Sequence, residues 1–435
     1  MQLKNKKHQW SRSLVLSNSR LNRRVGLSFL YFIQGIPQGL IYFSLLDWLA
    51  SKDFSISDIA IITSVASLPW TLKFIIGPFV DTYQSSKMGK RKPWILSSLT
   101  LLGLIFLVLS QFISIQMSPL LIGILLSFII LSTSILDVAT DGLAIDILDK
   151  NERGISNGLM WGARTFGVSI SALVSSILIR NYGLNQTFIF FGVALLGSSF
   201  FIIFQKESIK DKILSFSRPN KKKQIINLKK TLKDLYQTSI TPVILMLILF
   251  CLVSNISFGM HYVSISNLYT NLAGWDHELL TKIRSVGLYI GIFSAIAGGY
   301  LSDKFNPYKI ITMSQLFIAL TMIAVFILNN HISNLYIGSS ILILLSIMGS
   351  FVMSASLSLC MGLSFKVIAA TQFAFLMSIR HFSRIIGEWL AGLLDYLNIS
   401  VNEFFLSFSN NLKPVFSPES CLSSLPCFIL HINFS

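Results

Sequence analysis

The sequence predicts an all-α polytopic membrane protein, and three observations lead to that class. Hydrophobic residues make up 53% of the 435 residues, whereas only 12% are charged. The apolar residues fall into blocks of about twenty, the length that an α-helix needs to cross the ~30 Å hydrocarbon core of a bilayer. Short polar breaks separate these blocks, as expected for helices that satisfy their own backbone hydrogen bonds. Together these features exclude an ordinary soluble globular protein.

Eleven apolar segments are predicted to span the membrane, in two groups. The first six are 26–47, 58–79, 94–114, 119–144, 155–179 and 184–204. The other five are 241–264, 281–301, 308–328, 335–361 and 368–394. The sequence therefore predicts an N-terminal bundle over 26–204 and a C-terminal bundle over 241–395.

Three further segments complete the predicted organisation. Residues 1–25 are a basic segment without the small-residue cleavage site of a secretory signal, so we expect the first helix to be retained. Residues 205–240 are a basic linker between the bundles. In the tail, 396–435, no apolar block is long enough to span, so a twelfth helix is not recognisable.

The distribution of positive charge predicts the orientation of the spans, because Lys and Arg collect in loops that remain in the cytoplasm. The segments on one side carry 26 Lys and Arg, and those on the other side carry four. This asymmetry places the N-terminus in the cytoplasm. The net charge of +16 is then a property of loops beside a lipid bilayer, and we expect no nucleic-acid partner.

The linker contains two groups of lysines, Lys221 to Lys223 and Lys229 to Lys230. A basic segment of this kind can be a patch that binds lipid or an inhibitor. The alternative, which the sequence favours, is a solvated loop on an anionic membrane surface.

The two halves carry the same short motif at the same place. Gly77 and Asp81 end the second predicted span, and Gly299 and Asp303 end the eighth, so each half has Gly-x-x-x-Asp. Matched motifs indicate that the halves are repeats of each other.

Ionisable side chains inside a span are expensive, so they usually face a water-filled cavity or one another. Those in the predicted spans are Lys73, Asp137, Asp141, Arg164, Arg284, Arg380, Arg384 and Glu388. Asp137 and Asp141 lie four residues apart and share a helix face, an arrangement typical of reversible protonation. A structural salt link to Lys73 or Arg164 is the other interpretation, and the sequence leaves both open.

Two arginines are predicted near the middle of the bilayer. Arg164 lies about ten residues into its span and Arg380 about twelve residues into its own. The rise of an α-helix is about 1.5 Å per residue, so both lie near the middle of the bilayer. Guanidinium groups at that depth indicate an anionic small-molecule ligand. Arg380, Arg384 and Glu388 step by four along one face, so a pair between Arg384 and Glu388 would consume part of this charge. His381 is expected to be a packing residue.

Small residues predict close helix packing in two places. Gly35, Pro37 and Gly39 interrupt the first span, and the neighbouring Gln34 and Gln38 are expected to line a cavity and contact the ligand. The fifth span carries a packing stripe of Gly154, Gly158 and Gly162.

No motif for catalysis is present. The chain lacks a Walker-type phosphate loop, a nucleophile elbow and zinc-spaced His or Cys residues. We therefore expect neither an enzyme nor a metal or organic cofactor.

Three segments together resemble one family. They are Gly77-Pro78-Phe79-Val80-Asp81-Thr82-Tyr83 followed by Gly89-Lys90-Arg91-Lys92-Pro93-Trp94, then Asp137 to Gly142 with Glu152-Arg153-Gly154, and Ala370 to Leu376. They are similar to the major facilitator transporters, in the branch of the AmpG-type muropeptide permease and the acetyl-coenzyme A transporter. The chain departs from that family at Thr82, where a basic residue is usual.

The resemblance implies a major facilitator fold of two six-helix bundles that rock about a central site. It also implies proton-driven import of anhydro-muropeptide across the inner membrane, and we expect a monomer. Other cargoes, such as a siderophore or a nucleotide thioester, and a non-transporting membrane receptor or degenerate paralogue remain alternatives.

The charged and polar residues inside the spans, taken together with the motifs, predict the following roles. Substrate binding falls to Arg164, Arg380, Arg384, Gln34 and Gln38, and proton coupling to Asp137, Asp141 and Glu388. The gate comprises Gly77, Asp81, Gly89, Lys90, Arg91, Lys92, Gly299 and Asp303. In that gate each aspartate is expected to cap or pair with neighbouring helix ends, while the three cations after Gly89 lie at the membrane surface.

Overall fold

The structure, a computed structural model, describes residues 15–45, 48–49, 52, 54, 56–83, 87–113, 116–215, 221–267, 269, 273–275, 277–328 and 331–396. The α-helices of the described part are α1 (Arg20–Gly39), α2 (Ile56–Thr71), α3 (Lys73–Thr82), α4 (Lys92–Phe112), α5 (Pro119–Ile147), α6 (Arg153–Phe204), α7 (Lys221–Ser239), α8 (Pro242–Asn267), α9 (His277–Phe305), α10 (Pro307–Ile327), α11 (Leu335–Leu363) and α12 (Ala369–Tyr396). A π-helical turn, Leu40–Leu45, continues α1. Short 3₁₀ turns precede α1, α6 and α12 at Leu16–Asn18, Lys150–Glu152 and Lys366–Ile368.

The predicted all-α membrane fold is confirmed, and each of the eleven predicted spans coincides with helix in the described part. The second span is divided into α2 and α3, and the fifth and sixth are joined in α6. Judged by length and apolar composition alone, seven helices of the described part qualify as spans, or eight if the bent pair of α7 and α8 counts as one. The tail beyond Tyr396, where no twelfth helix was expected, lies outside the described residues.

The helix α6 contains two membrane crossings. It runs for 52 residues, far longer than the ~30 Å hydrocarbon core requires at about 1.5 Å per residue. Gly183 interrupts it with a φ of 84° and a ψ of 172°, a conformation that residues with a Cβ rarely adopt. This break lies where the sequence separates its fifth and sixth spans.

Glycines bring α1 into backbone contact with α6. A Cβ at Gly35 would lie 2.3 Å from the carbonyl oxygen of Arg164, and one at Gly39 would lie 2.2 Å from that of Val168. Only glycine fits such an approach, as the sequence predicts for this interrupted span. The contact places Arg164 beside the middle of α1.

The predicted glycine stripe of the fifth span also packs against another helix. A Cβ at Gly154 would lie 2.3 Å from the Gly299 carbonyl oxygen, and one at Gly158 would lie 2.4 Å from that of Ala295. The stripe therefore joins α6 of the first half to α9 of the second half.

The linker contains a helix, α7, rather than the solvated loop that the sequence favours. Leu228, Thr231, Leu235 and Thr238 recur at helical spacing and are buried or half-buried, whereas the lysines between them are exposed. The segment from Leu228 to Ser239 meets α8 at 82°. The linker helix thus runs across the end of the bundle instead of continuing a span.

The contact between α1 and α6 yields a stability prediction. Gly39→Ala should destabilise the protein by about 1–3 kcal/mol, because the added methyl meets backbone that cannot move aside. The measurement is thermal unfolding of purified protein in detergent. Gly197→Ala in α6 is the matched control, since nothing lies within 4 Å of a Cβ there. Equal melting temperatures for the two variants would contradict the packing argument.

Candidate functional site

A buried ion cluster lies between α3, α5 and α6. Asp137 accepts a hydrogen bond from Lys73 Nζ on its Oδ2, at 2.9 Å, and one from Arg164 Nη1 on its Oδ1, at 3.3 Å. The Asp137 residue is 1% exposed. The structure therefore brings Asp137 together with both cations that the sequence offered as alternative partners. A buried carboxylate with two cations is well compensated, and removing it would leave two uncompensated charges.

Aromatic rings surround the Arg164 guanidinium. Its centre lies 4.8 Å from the Trp70 ring and 5.6 Å from the Trp161 ring, and its Nε donates to Gln38 Oε1 at 3.2 Å. The Trp70 ring also lies 6.0 Å from that of His381, which belongs to the other half. The sequence analysis did not single out Trp70, because an aromatic residue within a span is ordinarily a packing residue. The signal was its position three residues before Lys73.

Asp141, one helical turn after Asp137, has different surroundings. Its carboxyl accepts a hydrogen bond from the Tyr31 hydroxyl of α1. Among the described side chains no Lys or Arg forms an ion pair with Asp141. Protonating Asp141 would break no ion pair, whereas protonating Asp137 would disturb two.

Arg380 carries a buried charge in the second half. The residue is 7% exposed, and its Nη2 lies 3.4 Å from the Met353 sulfur, while its Nη1 has no hydrogen-bond partner in the described part. Sulfur is a weak acceptor, and arginine stays charged in proteins. Within the described ranges no carboxylate pairs with the positive charge of Arg380.

The remaining predicted ligand residues differ in burial. Gln38 contacts Arg164 as described, but Gln34 is fully buried, and both of its amide atoms lack a partner among the described residues. Arg384 is half-buried one turn after Arg380. Glu388 has its side chain outside the described residues, so its pairing with Arg384 stays a prediction.

Asp81 joins the two halves at the end of the bundle that carries the basic loops, here called the basic end. One of its oxygens accepts hydrogen bonds from the backbone N–H of Thr371 at 2.7 Å and from the Thr371 hydroxyl at 2.6 Å. The other lies 2.6 Å from Arg91 Nη1. Asp81 therefore caps the first turn of α12, as a carboxylate at a helix N-terminus does. A Cβ on Gly77 would lie 2.6 Å from Thr371 Cα, so this glycine permits the approach.

The expectation that Lys90, Arg91 and Lys92 lie at the surface is wrong for two of the three. Arg91 is fully buried between Asp81 and Asp146, with its Nε 3.0 Å from Asp146 Oδ2. Lys92 is 3% exposed and donates to the carbonyl oxygens of Ile203 and Ile213 at 2.6 Å and 2.8 Å. Only Lys90 is exposed. Burial is possible here because carboxylates and carbonyls accept from most of the charged donors, although Arg91 Nη2 has no partner among the described atoms.

Asp303 repeats the arrangement of Asp81 in the other direction. It accepts hydrogen bonds from the backbone N–H groups of Gly154 at 2.6 Å and Ile155 at 2.8 Å, at the start of α6. A Cβ on Gly299 would lie 2.1 Å from the Gly154 carbonyl oxygen. Each Gly-x-x-x-Asp motif therefore caps a helix of the opposite half.

Glu207 belongs to this end of the molecule and was missed by sequence reasoning. Its carboxylate accepts from the backbone N–H groups of Lys90, Arg91 and Lys92 at 2.9, 2.7 and 2.5 Å. Burial raises the pKa of Glu207, against the opposing effect of these three donors. Gly89 leaves room for the carboxylate and has a φ of 100°. No motif in the linker marks this residue, because its partners are backbone groups.

Comparison with known proteins identifies relatives over most of the chain. The chain matches the family model of the Major Facilitator Superfamily over residues 27–388. It is 25% identical over 432 residues to the putative transporter AmpG 3 of Rickettsia prowazekii, covering 90% of this chain and 94% of the relative. It is 23% identical to the putative transporter AmpG 1 of Rickettsia bellii, over 82% of this chain and 88% of the relative. An uncharacterized protein of Haemophilus influenzae is 25% identical, over 64% of each chain.

Solved structures show the same fold. The human organic anion transporter MFSD10 (TETRAN) matches with a TM-score of 0.61 at 15% identity, over 90% of this chain and 97% of that one. FucP in its outward conformation matches with a TM-score of 0.58 at 16% identity, over 87% and 92%. The family match covers far more than half of the sequence, and the helices described above agree with it. The chain belongs to the Major Facilitator Superfamily and is a multi-pass membrane transporter rather than an enzyme.

Proposed function

We propose that this transporter imports an anionic solute of the anhydro-muropeptide class across the inner membrane, coupled to protons and as a monomer. The observation that carries the proposal is the Arg380 guanidinium, buried in the second half and compensated by no described carboxylate. A permanent charge in such a position is expensive unless an anion meets it during the transport cycle. The AmpG names of the relatives and the organic anion transporter among the structural neighbours support an anionic cargo.

In this proposal the two arginines have different roles. Arg380 binds the anion of the cargo, because no carboxylate of the described residues pairs with it. Arg164 is held by Asp137 and Gln38, so it positions the cluster that borders the site and contributes less to cargo charge recognition. The rings of Trp70 and Trp161 beside Arg164 favour a cargo that also presents an apolar or ring face.

Asp141 is the proposed proton carrier. Its only hydrogen-bonding partner in the described part is the Tyr31 hydroxyl, so its charge can change without breaking an ion pair. Asp137 is the structural member of the carboxylate pair, since Lys73 and Arg164 both depend on it.

The proposal places the basic end in the cytoplasm, where 26 of the Lys and Arg residues are expected. Asp81 and Asp303 then hold the cytoplasmic end closed, because each links a helix of one half to a helix start in the other. Release of the cargo requires both capping contacts to break.

The cargo assignment is tested by uptake of labelled anhydro-muropeptide into inverted and right-side-out vesicles, with a siderophore as control. Accumulation of the muropeptide alone, and only with an imposed proton gradient, is the expected result. Accumulation of the siderophore alone would show that the cargo is a siderophore and not an anhydro-muropeptide. Absence of uptake for both would favour the non-transporting receptor.

Arg380→Gln should raise the dissociation constant of a charged cargo roughly tenfold to a hundredfold, since a charge-assisted contact contributes about 1.5–3 kcal/mol. Arg380→Lys should restore binding incompletely, because an ammonium lacks the bidentate geometry of a guanidinium. Binding is measured by calorimetry on purified protein with a charged cargo and its neutral analogue. Arg164→Gln is the comparison variant. It should lower the melting temperature more than Arg380→Gln does and weaken binding of the charged cargo less. Equal losses for both analogues in Arg380→Gln would refute the anion site.

Asp141→Asn should abolish gradient-driven accumulation while leaving cargo exchange measurable, because only the coupled step needs the proton. Asp137→Asn should instead reduce the yield of folded protein, because two buried cations lose their shared carboxylate. Both are measured in proteoliposomes, with and without a proton gradient. Normal accumulation by Asp141→Asn would exclude it as the proton carrier.

Asp81→Ala should open the basic end, because the first turn of α12 loses its cap and Arg91 loses a partner. Cysteines placed along the cavity on that side should then react several times faster with a water-soluble maleimide. Asp303→Ala should have a smaller effect, since Asp303 caps through two backbone groups and has no described ion pair. Asp211→Ala, which removes the same charge from the linker, is the control. Unchanged labelling in Asp81→Ala would contradict the gating role.

A further inference from the structure

A cavity lies at the basic end, away from the buried ion cluster around Asp137. It has a volume of about 370 Å³ and is lined by Asp81, Lys90, Lys230, Thr231, Asp234, Lys366 and Val367. We propose that this cavity binds a phosphate-bearing anion that bridges the two halves and the linker helix.

The lining residues come from three separate parts of the chain. Asp81 and Lys90 belong to the first half, Lys366 precedes α12 of the second half, and Lys230 and Asp234 lie on the linker helix α7. A ligand in this cavity therefore contacts both bundles and the segment that connects them. Two of the lining side chains, those of Lys90 and Lys230, are exposed, so the cavity borders the surface of the protein.

The charges around the cavity do not balance. Three ammonium groups face two carboxylates, and the Asp81 carboxylate is already held by Arg91 and by the start of α12. In the part of the chain that the structure describes, neither Lys230 nor Lys366 forms an ion pair, and Lys90 has only a long contact, 3.9 Å from Asp146 Oδ1. With Asp81 left out because it is already paired, the three lysines and Asp234 leave two positive charges, which match a dianion.

A phosphate group fits these surroundings better than a carboxylate. Lysine binds phosphate as a point charge, and three lysines from different directions match oxygens arranged as a tetrahedron. The volume suits a small ligand or a headgroup rather than a polymer. The phosphate has two possible sources, a soluble phosphate compound and an anionic lipid headgroup. The second is open to this site because α7 turns by 82° into α8 and carries a basic face, as helices at an anionic membrane surface do.

The position of the cavity gives the bound anion a role in gating. Asp81 forms one wall, and Lys366 lies on the turn that leads into α12, whose first turn Asp81 caps. An anion shared by Lys90, Lys230 and Lys366 would hold the linker helix against the closed basic end. Its binding therefore favours the closed state.

The test measures soluble and lipid phosphate separately on the full-length protein. Inorganic pyrophosphate is titrated calorimetrically into detergent-purified protein, and retained phospholipid is measured by native mass spectrometry after extraction from membranes containing phosphatidylglycerol. Lys230→Gln and Lys366→Gln should each weaken binding at least fivefold in whichever of the two measurements detects binding to the wild-type protein. Lys233→Gln is the matched control, because Lys233 lies on α7, is exposed and does not line the cavity.

The outcomes decide between the sources and the alternative. Selective loss of pyrophosphate binding supports a soluble phosphate ligand, and selective loss of retained phosphatidylglycerol supports a lipid headgroup. Arg380→Gln should leave both signals unchanged, which separates this cavity from the proposed cargo site. Equal losses in Lys233→Gln, loss in Arg380→Gln alone, or no binding in either arm would overturn the proposal.

Discussion

The connection of the two halves at the basic end depends on one interaction made twice: a carboxylate at the end of one helix accepts the free N–H groups at the start of a helix in the other half. Asp81 does this for α12 and Asp303 for α6. The first N–H groups of a helix have no partner within the helix, and their partial positive charge attracts an anion. In each case the glycine one turn earlier allows the backbones close enough for the contact. The same two residues per half therefore provide the approach and the cap.

A second layer of polar contacts supports the Asp81 contact. Arg91 connects Asp81 to Asp146, and Glu207 binds the three backbone N–H groups at the entry to α4. The linker is thereby joined to the loop that carries Arg91. Position 82 holds a buried threonine instead of a basic residue. Arg91 supplies the buried positive charge beside Asp81 in its place. The departure from the family motif thus leaves the aspartate with a cation.

Inside the bundle, the distribution of charge separates structural groups from candidate functional ones. Asp137, Lys73 and Arg164 compensate one another, and a buried cluster of this kind fixes the relation of α3, α5 and α6. Asp141 and Arg380 are the exceptions, since neither forms an ion pair within the described residues. They lie in different halves, Asp141 on α5 and Arg380 on α12, as the proposed coupling of a solute to a proton requires. This arrangement is consistent with coupling between the halves in a transporter of this superfamily.

The sequence by itself determined the spans, the division into two halves and the membership of residues such as Asp81 and Asp303 in a repeated motif. It could do so because a span satisfies its own backbone and must have a certain apolar length, which are local properties. The partners of the charged residues were decided only by the tertiary structure. Lys73 lies 64 residues from Asp137, and Asp81 lies 290 residues from Thr371, so neither contact follows from spacing along the chain. The burial of Arg91 depends in the same way on the carboxylates of Asp81 and Asp146, and the role of Glu207 depends on backbone N–H groups more than a hundred residues away. Only the packed helices bring these groups together, and the free energy of a charge is set by its neighbours in space.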